Sequence, residues 1–160
     1  MKLFKILFCF AFAVLAVSCS NDDDSNDDQS PITEPFFVKV NGQDFTPLEI
    51  NATVAGSSIL IEAINSQDKD VVIGFSETVE ARDVLSAGVF GSNGTAIFMP
   101  IYDSDNGGFF ATNGTLTIAS HNRETNEISG RFNFSGPDPD NSSSTINFTE
   151  GEFKVTYVNQ

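Results

Sequence analysis

Few side chains in this sequence could do covalent or acid–base chemistry. There is one histidine, His121, placed beside a polar stretch at residues 122–126. A general base or a metal ligand needs partners, and none stands at a recognisable spacing from it. It reads as an exposed hairpin histidine. The two cysteines, Cys9 and Cys19, lie close to the start, no Gly-x-Ser-x-Gly motif occurs, and the Ser-x-x-Lys spacing of Ser66 and Lys69 falls in a polar stretch between apolar runs, where a turn is expected. Carboxylates are plentiful, so count alone does not exclude an acid pair of the glycosidase kind. Glu62 in a strand and Glu124 in a turn are nevertheless what a solvated β surface carries. The expectation is a non-enzyme with no obligatory cofactor.

Calcium is the one cofactor with a local pattern behind it. Asp103-Ser104-Asp105-Asn106-Gly107-Gly108 resembles the start of an EF-hand loop, with carboxylates at positions one and three and glycine at six. Position five is Gly107 and position twelve is Gly114, where that loop has Asp or Asn and a bidentate Glu. Asp138 and Asp140 could complete a site if the two loops meet. Asp103, Asp105, Asp138 and Asp140 are therefore the metal candidates, set against an acidic solvent-facing turn.

Cys19 points to an address rather than to catalysis. Residues 1–18 have the three parts of an export signal: Lys2 and Lys5, an apolar run over residues 6–17, and small residues before Cys19. Twelve apolar residues rise only ~18 Å as a helix, short of a ~30 Å hydrocarbon core. Leu15-Ala16-Val17-Ser18-Cys19 resembles the bacterial lipobox, in which the cysteine is acylated and becomes the new N-terminus, although the leucine stands one residue further from the cysteine than is usual. Removing the signal would take Cys9 with it and leave Cys19 no disulfide partner. Lipidation at Cys19, with the membrane as partner through its acyl chains, is the expectation.

Residues 19–35 follow as an acidic tether. Five aspartates fall within residues 22–28, among Ser and Asn, with Pro31 and Pro35. Such a segment buries too little to offset its ordering entropy and is expected to be disordered, spanning roughly 20 Å. Cys-Ser-Asn-Asp-Asp-Asp resembles the acidic signal of Bacteroidota lipoproteins displayed on the cell surface. The expected location is the outer membrane, facing outward, with the periplasmic face as the alternative. The formal charge is −14. Without residues 1–18 two of the eight bases go and none of the 22 acids, which makes −16. Nucleic acid is excluded as a partner by the lack of a basic footprint.

Residues 36–160 are expected to form a single all-β domain. Period-two alternation runs through Leu116-Thr117-Ile118, Phe132-Asn133-Phe134, Ile146-Asn147-Phe148 and Phe153-Lys154-Val155, each sending apolar side chains to one face. Turn chemistry separates the runs at Asn41-Gly42, Gly56-Ser57, Asn93-Gly94, Asn113-Gly114 and residues 122–126. An antiparallel sandwich or closed barrel of about nine or ten strands follows. Residues 77–90 fit one helical turn or a loose connection.

Twelve of the sixteen phenylalanines lie beyond residue 18, and there is no tryptophan. Most suit a core. The doubled Phe36-Phe37 and Phe109-Phe110 differ, because adjacent strand residues point to opposite faces and one of each pair should leave the core. Phe110, from the second pair, and Tyr102, one of two tyrosines in a chain without the tryptophan that sugar binding often uses, are the candidate ligand contacts. Asn-x-Ser/Thr triplets, such as those at Asn51, Asn93, Asn113, Asn141 and Asn147, read as Asn- and Thr-rich strands and turns rather than glycan acceptors.

The run from Asn113 to Gly136, with its Ile-Ser-Gly-x-Phe-x-Phe strand, and the closing Gly-x-Phe-x-Val strand resemble small Bacteroidota lipoproteins carrying a β-rich domain of unknown function. The opening Phe37-Val38-Lys39-Val40-Asn41-Gly42 fits as well. The resemblance implies a fold and an address, and no functional residues. Three functions are then open: a non-catalytic surface module for a glycan, a protein or a matrix component; a lipocalin-like carrier of a small apolar ligand; and a hydrolase using carboxylates or calcium.

Overall fold

The computed structural model describes residues 30–88, 97–103, 108–139, 141 and 143–159, and only the backbone of residues 97–100, 103 and 109. The expected leader, Cys19 and most of the tether lie outside the described residues, as do the Asn93-Gly94 turn, Asp105 and Asp140. Twelve strands are described: β1 (Phe36–Val40), β2 (Gln43–Phe45), β3 (Pro47–Ala55), β4 (Ser58–Asn65), β5 (Asp70–Ser76), β6 (Val84–Ala87), β7 (Ile97–Asp103), β8 (Phe109–Phe110), β9 (Asn113–Asn122), β10 (Glu127–Pro137), β11 (Thr145–Thr156) and β12 (Val158–Asn159). The excess over nine or ten comes from pieces of two to four residues. Among the described residues 77–88 there is no helical turn: turns at residues 77–78 and 81–82 are followed by β6.

One sheet runs β2-β1-β11-β10-β9-β6 and the other β12-β3-β4-β5-β7, with β8 added beside β7. A two-residue parallel contact, Ser86↔Ile97 and Ala87↔Phe98, links β6 to β7. The path ends at β12 and β2, which do not pair. The molecule is a sandwich of six and five strands, and the closed-barrel alternative is set aside.

Local chemistry sets the hairpins. Asn41 and Gly42 take φ of 50° and 80°, and Val40 pairs with Gln43, a two-residue loop whose twist suits a hairpin. Asn113-Gly114 does otherwise. It opens β9, and Gly114, at φ 137°, lies opposite Phe134, where a Cβ would sit 2.2 Å from the Asn133 carbonyl oxygen.

Alternation fills the space between the sheets. Ile59, Ile61, Ala63, Val71, Ile73 and Phe75 line one inner face, and Val38, Leu116, Ile118, Ile128, Phe148 and Phe153 the other, all buried. Rings bridge the layers: Phe75 stacks on Phe153 at 6.0 Å, and Tyr102 meets Phe148 edge-on at 5.1 Å. An interior packed ring to ring is the reverse of what a lipocalin-like carrier requires.

The glycines of the closing motifs have a packing reason. Gly130 pairs with Phe153 and Gly151 with Phe132, so each phenylalanine covers the bare backbone of the partner strand. A Cβ on Gly151 would lie 2.5 Å from Phe132 Cε2. Beside it β11 bulges. Phe132 faces Gly151 but Phe134 faces Phe148, and β1 slips at the same place, from Phe37↔Glu152 to Lys39↔Thr149. Glu150 takes up the extra length at φ 54° and bonds the Lys39 ammonium. That bond raises the Lys39 pKa above the usual lysine value. The folded form is thus the more basic, so the contribution is present at neutral pH and disappears as pH rises through the folded value.

Candidate functional site: a polar cleft at one end of the sandwich

Three stretches far apart in sequence meet beside the chain's passage from β11 to β12. The first is the turn between β5 and β6, which β9 holds by its backbone. Arg82 N–H donates to the Ile118 carbonyl at 2.8 Å, and Ile118 N–H donates to that of Asp83 at 2.9 Å. Val79 buries its side chain from this turn. The second is the β9–β10 loop, where Asn122 Oδ1 accepts the N–H groups of Glu124 and Thr125, an Asx turn that projects Arg123. The third is Tyr157, whose N–H donates to the Asn126 carbonyl at 3.0 Å.

His121 ties the three together. Its Nδ1 is 2.8 Å from the Val79 carbonyl oxygen and its Nε2 is 2.9 Å from the Tyr157 hydroxyl. A carbonyl can only accept, so Nδ1 carries the proton, and neutral Nε2 accepts from the phenol. The exposed hairpin histidine expected from the sequence is therefore half-buried and doubly bonded. Both nitrogens are engaged within the protein, and the ring ties the Val79 backbone to the Tyr157 side chain. His121→Leu should cost about 1–3 kcal/mol by stranding the buried Tyr157 hydroxyl. Adding Tyr157→Phe should return part of that loss in thermal melts, and a double variant no more stable than His121→Leu would contradict the clamp.

Above this clamp opens a cleft of about 520 Å³. Glu77 and Glu80 supply carboxylates, Asn126 and Asn159 amides, Thr78 a hydroxyl and Arg123 a guanidinium, over a floor that includes Tyr157. Arg123 is held in place, with Nη1 2.9 Å from Glu80 Oε1 and Nη2 donating to the Val79 carbonyl at 3.2 Å. The arrangement gathers donors and acceptors over a small area, with the Arg123–Glu80 pair held in place. It suits a ligand rich in hydroxyl or amide groups.

The described residues among the sequence's ligand and metal candidates lie elsewhere. Phe110, in β8, is 54% exposed, as the alternation in Phe109-Phe110 required. Tyr102 departs from its expected place at the surface: β7 turns it inward against Phe148, while Ile101 pairs with Phe110. Asp103 pairs by backbone with Asp70, and the Asp138 carboxylate accepts the Ser144 hydroxyl at 2.9 Å across its own loop. Among the described residues, no three His, Cys, Asp or Glu side chains gather as metal ligands. The cleft residues escaped sequence reasoning because Glu80, Arg123 and Tyr157 share no local pattern. The one available signal was an arginine beside the sole histidine in an Asn-flanked turn.

Fold and cleft together define a β-sandwich domain with a polar recess formed by loops at one end. The chain belongs to the family described as Domain of unknown function (DUF6252), whose model matches residues 33–156. No curated protein and no solved structure matches it.

Proposed function

We propose that this chain is a lipid-anchored cell-envelope lipoprotein whose sandwich is a non-catalytic binding module for a hydroxyl-rich ligand, of which a glycan is the leading class. The cleft carries the binding reading. Its carboxylates, amides and guanidinium are the planar groups that pair with adjacent hydroxyls, and Glu80 is already engaged by Arg123. The address rests on the Leu15–Cys19 junction and the acidic run after it, which support an acylated cysteine at the outer membrane facing the cell surface.

A glycan array probed with the full-length chain tests the binding reading. Arg123→Ala and Asn126→Ala should each weaken a positive signal by about tenfold while leaving the melting temperature within a few degrees, the loss expected for a charge-assisted or paired hydrogen bond. A signal unmoved by both substitutions would place binding outside the cleft.

A further inference from the structure

The two outer faces of the sandwich differ in chemistry. On the six-stranded sheet the outward side chains include three ion pairs, Arg131 with Glu152, Lys154 with Glu127 and Lys39 with Glu150, and the apolar ones, Val84 and Phe37, stand apart on β6 and β1. On the five-stranded sheet, register places Glu62, Val72, Ile101 and Phe110 in one row across β4, β5, β7 and β8. Their strand neighbours Ile61, Val71, Ile73 and Tyr102 are buried, so this row faces outward. Leu60 and Ile64 flank Glu62 on the same side of β4, and both are partly exposed, like Val72 and Ile101. The result is a contiguous apolar strip ending on the exposed ring of Phe110, on the side of the sheet away from the core.

The border of this strip is acidic. Residues 47–76, which build β3 to β5 and their turns, carry Lys69 against Glu49, Glu62, Asp68 and Asp70. We infer that this face docks a protein segment whose apolar side chains are flanked by lysine or arginine. Complementary charge decides among occupants. A second copy would set the same acids against one another, and four of its six bases beyond residue 18, Lys39, Arg123, Arg131 and Lys154, are engaged with glutamates elsewhere. Residues 20–29, polar and acidic, fit neither the strip nor its border. The surface is separate from the cleft and stands whether or not the cleft binds a glycan.

The probe is a short fluorescent peptide alternating leucine and lysine, compared with leucine–glutamate and serine–lysine versions, titrated into the full-length chain and read by anisotropy. The leucine–lysine peptide should bind tightest. Phe110→Ser should weaken it about tenfold, the loss expected for one well-buried ring. Leu60→Ser provides a second apolar variant, and unchanged circular dichroism establishes that each is folded. Glu62→Gln should weaken binding and flatten its salt dependence, whereas Glu152→Gln, the same charge change on the opposite face, should not. Equal binding of the serine–lysine peptide, or equal effects of the two glutamate variants, would reduce the effect to diffuse charge and overturn the proposal. Sedimentation showing a dimer that Phe110→Ser dissociates would overturn it as well, by making a second copy the occupant.

Discussion

Phe153→Ala should destabilise the sandwich by about 3–5 kcal/mol, the range for deleting a fully buried phenylalanine. The ring is 0% exposed and sits between Phe75 of the facing sheet, at 6.0 Å, and Phe132 of the neighbouring strand, at 6.4 Å. It also covers Gly130, so its loss opens a void bounded by bare backbone that has no side chain to collapse inward. For a domain of this size the melting temperature should fall by roughly 10–20 °C. That is a large share of a typical stability of about 5–15 kcal/mol. The same geometry predicts a coupling. Gly130→Ala puts a methyl 2.9 Å from Phe153 Cζ and 2.8 Å from the Thr117 carbonyl oxygen. Alone it should cost about 1–3 kcal/mol by overpacking. In the Phe153→Ala background the ring clash is gone, and the double variant should be more stable than the two losses added together by about 1 kcal/mol. Strict additivity in denaturant melts would mean that the glycine is required by its backbone alone.

The second large effect concerns Cys19. Native material should yield an N-terminal peptide that begins at Cys19 and carries acyl mass. Cys19→Ala should lose that mass and move from the detergent phase to the aqueous phase on partitioning. Each buried methylene contributes about 0.8 kcal/mol, and one chain alone binds a bilayer at only ~10⁴ M⁻¹, so stable attachment needs the further chains that a lipoprotein cysteine carries. Without them residues 20–35 offer no substitute, since their aspartates are repelled by an anionic surface. A free thiol at Cys19 in native material, or the whole protein recovered from the culture fluid, would refute lipid anchoring. The glycan-array and peptide experiments would retain their meaning in that event, because both concern the sandwich.

Two results bear on how the interior is used. The carrier reading loses the closed barrel on which it rested, since the path of paired strands ends at β12 and β2, which do not pair. The polar recess lies instead at the end of the sandwich, where loops converge and backbone groups not used by the sheets are available for side-chain bonds.

What this sequence determined by itself was local in origin. Period-two alternation dictates strands with one apolar face, Asn41-Gly42 dictates a tight hairpin, and Phe109-Phe110 requires one ring to point away from the core; each depends on neighbours one to four residues apart. Tertiary structure decided the rest. Whether the sheets close, whether Tyr102 faces in or out, and why Gly130 and Gly151 are glycines depend on register between strands far apart in the chain. His121 shows the difference most directly: its sequence neighbours place it in a polar hairpin, but its bonding partners, Val79 and Tyr157, come from elements 42 and 36 residues away. Packing the two sheets is what brings those groups within hydrogen-bonding distance, and a pattern confined to adjacent residues carries no record of it.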